Sequence, residues 1–273
     1  MKNFFYKVFL LVLLNYVIEI VYGFEVMDTC KQFAKGQIRA VLYYNDFKSY
    51  PVFNITSSDE ITVRTDTKEF KYFDKTEQTI NCKAEGNSAI LKIEINPFDE
   101  LYWWTKIGSE NYSLEIPLLE GKNKLDTLSG GLIVGLGTKY QIFPETIVSP
   151  GICIDFGLTV SEYKFEKYYP YGMAPIIINN KLESTEGQMT LFMSKSLVSS
   201  DKKLEIEPYF GLKIFRNFNR ITDMVTLKQA QGITDGIGIF LGSQLKIFPM
   251  EWIIFELGLL NEMTLSVGFG YGF

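Results

Sequence analysis

The stretch 263–273 reads M-T-L-S-V-G-F-G-Y-G-F, and its strict period of two belongs to a β-strand, in which successive side chains leave opposite faces. Met263, Leu265, Val267, Phe269, Tyr271 and Phe273 form one continuous apolar face, with the aromatics gathered at its end. Thr264, Ser266, Gly268, Gly270 and Gly272 leave the other face almost bare backbone. A strand of this kind suits a position between lipid and a polar lumen. Recurrence of the pattern decides between a membrane barrel and the last strand of a soluble sandwich.

The pattern recurs. Ile38, Ala40, Leu42 and Tyr44 alternate in a first strand, and Ala89, Leu91, Ile93 and Ile95 return through N-P-F-D into Leu101, Trp103, Thr105 and Ile107. Leu132, Val134, Leu136, Thr138, Tyr140 and Ile142 run into Ile152, Ile154, Phe156, Leu158 and Val160. Met189, Leu191, Met193 and Leu197 are followed by Leu204, Ile206, Phe210, Leu212 and Ile214. Ile237, Ile239, Leu241, Leu245 and Ile247 turn through F-P-M into Ile253, Phe255, Leu257 and Leu259, and the closing strand follows. Many of these runs reach the 9 to 11 residues of a tilted membrane crossing. Short connections alternate with long polar stretches, 48–87, 109–129, 163–186 and 218–233, the first carrying a hairpin of its own. The expected fold is all-β: one closed antiparallel transmembrane barrel of about ten strands, with room for twelve.

Composition narrows the function. Hydrophobic residues make up 47% of the 273, yet mean hydropathy is only +0.05, as alternation requires. A net charge of −5 offers no basic face to nucleic acid, so none is expected as a partner. There is no histidine, which removes Ser-His-Asp and Cys-His nucleophiles and imidazole acid–base work; with no paired acids standing out either, no enzyme, cofactor or metal is expected. Lys2 and Lys7 precede an apolar run that ends in small Gly23, so 1–23 reads as a cleaved secretory signal and 24–273 as the barrel domain.

An apolar alternating strand ending in an aromatic resembles the terminal strand of bacterial outer-membrane barrels. That likeness implies an outer-membrane location and makes Val267, Phe269, Tyr271 and Phe273 an insertion signal for the barrel-assembly machinery. The hairpin 256–273, and E-P-Y-F-G-L-K with Pro208, Tyr209, Gly211 and Lys213, are similar to hairpins of the chlamydial major outer membrane protein and related porin-like barrels, which are longer and cysteine-rich.

Alternation turns charges of both signs inward: Arg39, Lys92, Lys106, Lys139, Lys213 and Lys246 against Glu94, Asp155, Glu205, Glu207 and Glu256. In a small barrel such groups pair across a filled lumen, or else line a narrow channel. Trp103, Trp104, Tyr140 and Trp252 stand near strand ends, where aromatics anchor in the headgroup zone. Of three cysteines, Cys30 and Cys153 fall at one end of the expected topology and form the candidate disulfide. Three functions fit: a small porin-like or structural envelope barrel passing small solutes, an adhesin or ligand-binding barrel acting through its outer loops on a ligand or host surface the sequence does not name, and a soluble lipocalin-like carrier.

Overall fold

Alternation builds the wall. The computed structural model describes residues 29–30, 33, 35–65, 68–118, 121–199, 204–224, 229–248, 250–260 and 262–273; the signal expected over 1–23 lies outside them. Among the described residues the strands are β1 (Ile38–Ser49), β2 (Val52–Thr65), β3 (Lys68–Asn81), β4 (Lys83–Phe98), β5 (Leu101–Leu118), β6 (Gly121–Thr127) and β7 (Gly131–Phe143). There follow β8 (Gly151–Tyr169), β9 (Ile176–Ser194), β10 (Leu197–Val198), β11 (Glu205–Asp223), β12 (Gln229–Phe248), β13 (Glu251–Leu260) and β14 (Glu262–Gly272).

Ten of these strands close an antiparallel barrel in the order β1-β4-β5-β7-β8-β9-β11-β12-β13-β14, and β14 returns to β1 from Arg39↔Gly272 to Ser49↔Glu262. Phe273 N–H donates to the Ile38 carbonyl at 2.8 Å, so both ends of the barrel chain lie at the rim that carries the short turns. That rim is here the inner end; the opposite rim is the outer end.

The strands are unequal, and this divides the barrel into two tiers. β13 and β14 have 10 and 11 residues, about one membrane crossing, whereas β8, β9 and β11 have 19 and β12 has 20. The surplus of roughly nine residues carries the long strands about 30 Å further at the outer end. There β6 takes the place of β7, bridging β5 to β8. Over the short β13–β14 turn, the β2–β3 hairpin meets β12 at Asn54↔Gln231, and Val52 N–H donates to Thr234 Oγ1 at 3.0 Å. The stretches 109–129, 163–186 and 218–233, expected as loops, are therefore mostly continued strand, while 48–87 does carry a separate hairpin.

The two tiers have opposite polarity. On β8, Phe156, Leu158 and Val160 are exposed outward while Cys153, Asp155, Thr159 and Ser161 are buried inward. Two residues later the faces exchange: Glu162 and Lys164 point outward, and Tyr163 and Phe165 are 4% and 0% exposed inside. Leu182 on β9 and Leu114 on β5 are likewise fully buried inside, opposite outward Lys181 and Glu115. Below the exchange the barrel is built for lipid, and above it for water around an apolar core. The second buried cluster, centred on Phe53, Cys82, Leu114, Leu125, Phe165 and Leu182, is that upper core.

Candidate functional site: the lumen and its outer cup

The inner end is filled from below by the chain's own N-terminal segment. Thr29 and Cys30 are buried, their carbonyls accepting from Lys139 Nζ at 3.1 Å and Gln141 Nε2 at 2.9 Å. Cys30 N–H donates to Ser194 Oγ at 2.9 Å, and that hydroxyl donates to Glu207 Oε1 at 2.6 Å. Asn96 Nδ2 holds the Phe33 carbonyl at 2.7 Å, and the Phe33 ring lies 5.0 Å from that of Tyr102. Lys139 and Glu207, two of the expected lumen charges, thus serve the segment as well as the wall.

A charged layer lies among these contacts. Glu94 is fully buried between Arg39 at 2.8 Å and Lys92 at 2.9 Å, as ion pairs rather than aligned hydrogen bonds. Lys213 pairs with Glu186 at 2.8 Å, a partner hidden from sequence reading inside the supposed loop 163–186. Lys106 is buried, its Nζ 6.0 Å from the Trp104 ring centre. Tyr209 donates to Glu256 Oε2 at 2.9 Å. Lys246 and Glu205 meet at 3.0 Å but stand half-open at the rim.

Two expected anchors belong to this interior instead. Trp103 and Tyr140 face outward, but Trp104 and Trp252 are 5% and 7% exposed and point into the lumen. Alternation requires it: if Trp103 faces lipid, Trp104 faces the other way. The Trp104 indole N–H donates to Asp155 Oδ2 at 2.8 Å, and Lys92 Nζ sits 5.3 Å from its ring centre. The Arg39 guanidinium lies 5.4 Å from the Trp252 ring centre. Inward glycines make room for these rings. A Cβ at Gly270 would sit 2.0 Å from Trp252 Nε1, one at Gly137 2.3 Å from Trp104, and one at Gly242 2.2 Å from Tyr209. The bare face of β14 is therefore the bed of an aromatic ring.

The expected Cys30–Cys153 bond is not formed. All three cysteines are buried free thiols, with Cys30 and Cys153 in the lower cluster and Cys82 in the upper. Cys30 Sγ instead lies 3.5 Å from the Phe192 carbonyl. Val267, Phe269, Tyr271 and Phe273 all stand exposed on the outward face of β14. Among the described residues no group of three or more His, Cys, Asp or Glu could hold a metal ion.

Above the charged layer is a polar chamber of about 140 Å³, reached by Asn45, Ser88, Lys106, Glu110 and Lys213. Higher still, inside the outer tier, an apolar cup of about 500 Å³ opens among Phe53, Ile80, Leu125, Ile178 and Ile221. Cys82 forms part of its wall, and burial pushes that thiol up to about 11. Outside the cup, Arg220 donates to Glu183, and Lys181 bridges Glu162 and Glu183 at 2.9 Å each. The Arg220 hydrogen bond first, and the Lys181 one after it, hold the Glu183 carboxyl below its ordinary range.

No family model matches the chain, and no curated protein matches it, so the likeness to the chlamydial porin group rests on its residues alone. Solved structures do match. The outer membrane protease OmpT from Escherichia coli aligns over 91% of this chain and all of its own, at 10% identity and a TM-score of 0.52. The β domain of the Bordetella autotransporter BrkA aligns over 87% of this chain and 99% of its own, at 10% identity and a TM-score of 0.46. The outer membrane protein OprG from Pseudomonas aeruginosa aligns over 90% of this chain and 99% of its own, at 12% identity and a TM-score of 0.38. The chain has the fold of bacterial outer-membrane β-barrel proteins. Its apolar outward belt is the surface that such a barrel offers to lipid.

Proposed function

We propose that this protein is a non-enzymatic outer-membrane barrel, sealed to solutes, that works by binding at its extracellular tier. The inner end is then periplasmic, the outer tier stands in the medium, and insertion proceeds through the β14 face by the barrel-assembly machinery. One observation carries the reading: the inner end is filled by Thr29, Cys30 and Phe33 beneath a layer of paired charges, and the chamber above it holds only about 140 Å³. A diffusion pore needs a continuous aqueous path, whereas small barrels are about filled by their side chains. Chain length invested in a second tier, with an apolar interior, favours binding over passage. The test is conductance of the barrel in planar bilayers. Folded protein should give no steady discrete openings, and regular openings from the unmodified chain would overturn the sealed reading in favour of a porin.

A further inference from the structure

The outer cup is a space that the barrel wall does not need. Its volume of about 500 Å³ falls within the roughly 300 to 1,000 Å³ of small-molecule pockets, and the mouth of a barrel is one of the places where such pockets form. A protein interior ordinarily fills a void of this size with side chains. Ile80, Leu114, Ile116, Leu125, Ile178 and Ile221 converge on it from five strands. On β8 the Tyr168 hydroxyl accepts from Asn123 Nδ2 at 2.5 Å, and burial keeps the Cys82 thiol neutral. Asn179, Asn180 and Asp223 stand to one side, where β9 begins and β11 ends. Most of the wall therefore offers a ligand hydrocarbon contact and nothing else.

We propose that the cup holds one aliphatic chain of a free amphiphile, recognised through its hydrocarbon alone, with the head left in the water of the open mouth. This rests on the reading that the barrel acts through its outer tier, and it names the ligand class. A wall of this kind discriminates by the apolar area it buries, so each methylene of the chain contributes about fourfold in affinity until the cup is full. The chain comes from the medium and not from the bilayer. On β8 the lining is Tyr168, well beyond the exchange of faces, where Glu162 and Lys164 already point outward into water. An embedded lipid would have to leave the membrane to reach it.

The experiment uses the full barrel in phosphatidylcholine nanodiscs, with radiolabelled 1-octanol, 1-nonanol and 1-decanol as probes. Free probe is measured by equilibrium dialysis and empty nanodiscs are subtracted. Each alkanol should bind saturably at one per chain, about fourfold tighter with each added methylene. The methyl ether of 1-decanol, which has lost the hydroxyl donor, should bind within about fourfold of the alcohol, the value of its one extra methyl. Ala230→Trp, which fills the cup from β12, should weaken 1-decanol by about tenfold or more. Should that variant fail to show the heat-modifiable folded band, Ile178→Asn serves the same purpose. As a second readout, bound 1-decanol should slow methanethiosulfonate labelling of Cys82, followed on its peptide by mass spectrometry. No binding above empty discs, affinity indifferent to chain length, equal binding by a folded cup variant, or loss of binding by the ether would overturn the proposal. So would one disc phospholipid per chain, seen by native mass spectrometry, that 1-decanol does not displace. Conductance of the same preparations separates the two readings: a silent barrel that ignores the alkanols removes only the ligand, and a conducting one removes the seal.

Discussion

Replacing Glu94 with glutamine removes the carboxylate that pairs with both Arg39 and Lys92, and leaves both cations inside the barrel. All three side chains are 6% exposed or less, at 2.8 and 2.9 Å. Removing one partner of a buried ion pair typically costs about 3–5 kcal/mol, because the other charge stays desolvated. Cation–ring contacts persist, Arg39 on Trp252 and Lys92 on Trp104, and each is worth about 0.5–2 kcal/mol, so the lower end of that range is expected. Urea unfolding of the refolded barrel in micelles, followed by loss of the heat-modifiable band, should show Glu94→Gln destabilised by about 3 kcal/mol. The triple variant Arg39→Met, Lys92→Met, Glu94→Leu replaces the whole cluster with apolar groups of similar size. It should fall within about 1 kcal/mol of the parent, since such exchanges are often neutral. A Glu94→Gln penalty below about 0.5 kcal/mol, the scale of an exposed pair, would refute the buried charged layer.

Other expectations follow from single contacts. Leu136→Arg places a cation on the outward face of β7, where Leu136 is 62% exposed, and should destabilise the lipid-inserted barrel by about 2–4 kcal/mol, read as a shift in its unfolding midpoint. Trp104→Phe removes the donor at 2.8 Å from Asp155 and should cost about 1–3 kcal/mol in the same assay. Gly270→Val drives a side chain into the Trp252 ring and should cost about 1–3 kcal/mol, with a red-shifted tryptophan emission as the ring leaves its bed. Glu183 has a folded-state pKa below its unfolded value of about 4.3, so its contribution is present above that pH and lost as pH falls through the folded value. Parent stability should therefore fall as pH drops below the ordinary glutamate value of about 4.3, and Glu183→Gln should lessen that fall.

The lower tier was legible because its outward face is apolar along each crossing, while the inward face mixes charges and small residues with buried rings and aliphatic side chains. Met263 to Phe273 alternates between the two faces throughout, and the inward charges Arg39, Lys92, Glu94 and Asp155 fall where alternation puts them. The outer tier was missed for a physical reason. Tyr163 and Phe165 alternate with Glu162 and Lys164 just as strictly, but with the apolar face turned inward, so a search for lipid-facing residues reads the segment as loop. Nearness to a turn suggests a headgroup position for Trp104 and Trp252, but alternation overrides it and turns both rings inward. The seating of Thr29, Cys30 and Phe33 had no local signature, because the groups that hold them come from β4, β7 and β9, some 60 to 160 residues away.

The exchange of faces on β8 is open to direct measurement. Spin labels placed singly at Phe156, Leu158, Val160, Glu162, Lys164 and Glu166, in a Cys30→Ser, Cys82→Ser, Cys153→Ser background reconstituted in bilayers, report lipid through oxygen and water through a nickel chelate. Labels at 156, 158 and 160 should favour oxygen, and those at 162, 164 and 166 the chelate, with the crossing between Val160 and Glu162. Oxygen preference continuing through residue 166, or water contact already at Phe156, would contradict a barrel divided into a lipid-facing and a water-facing tier.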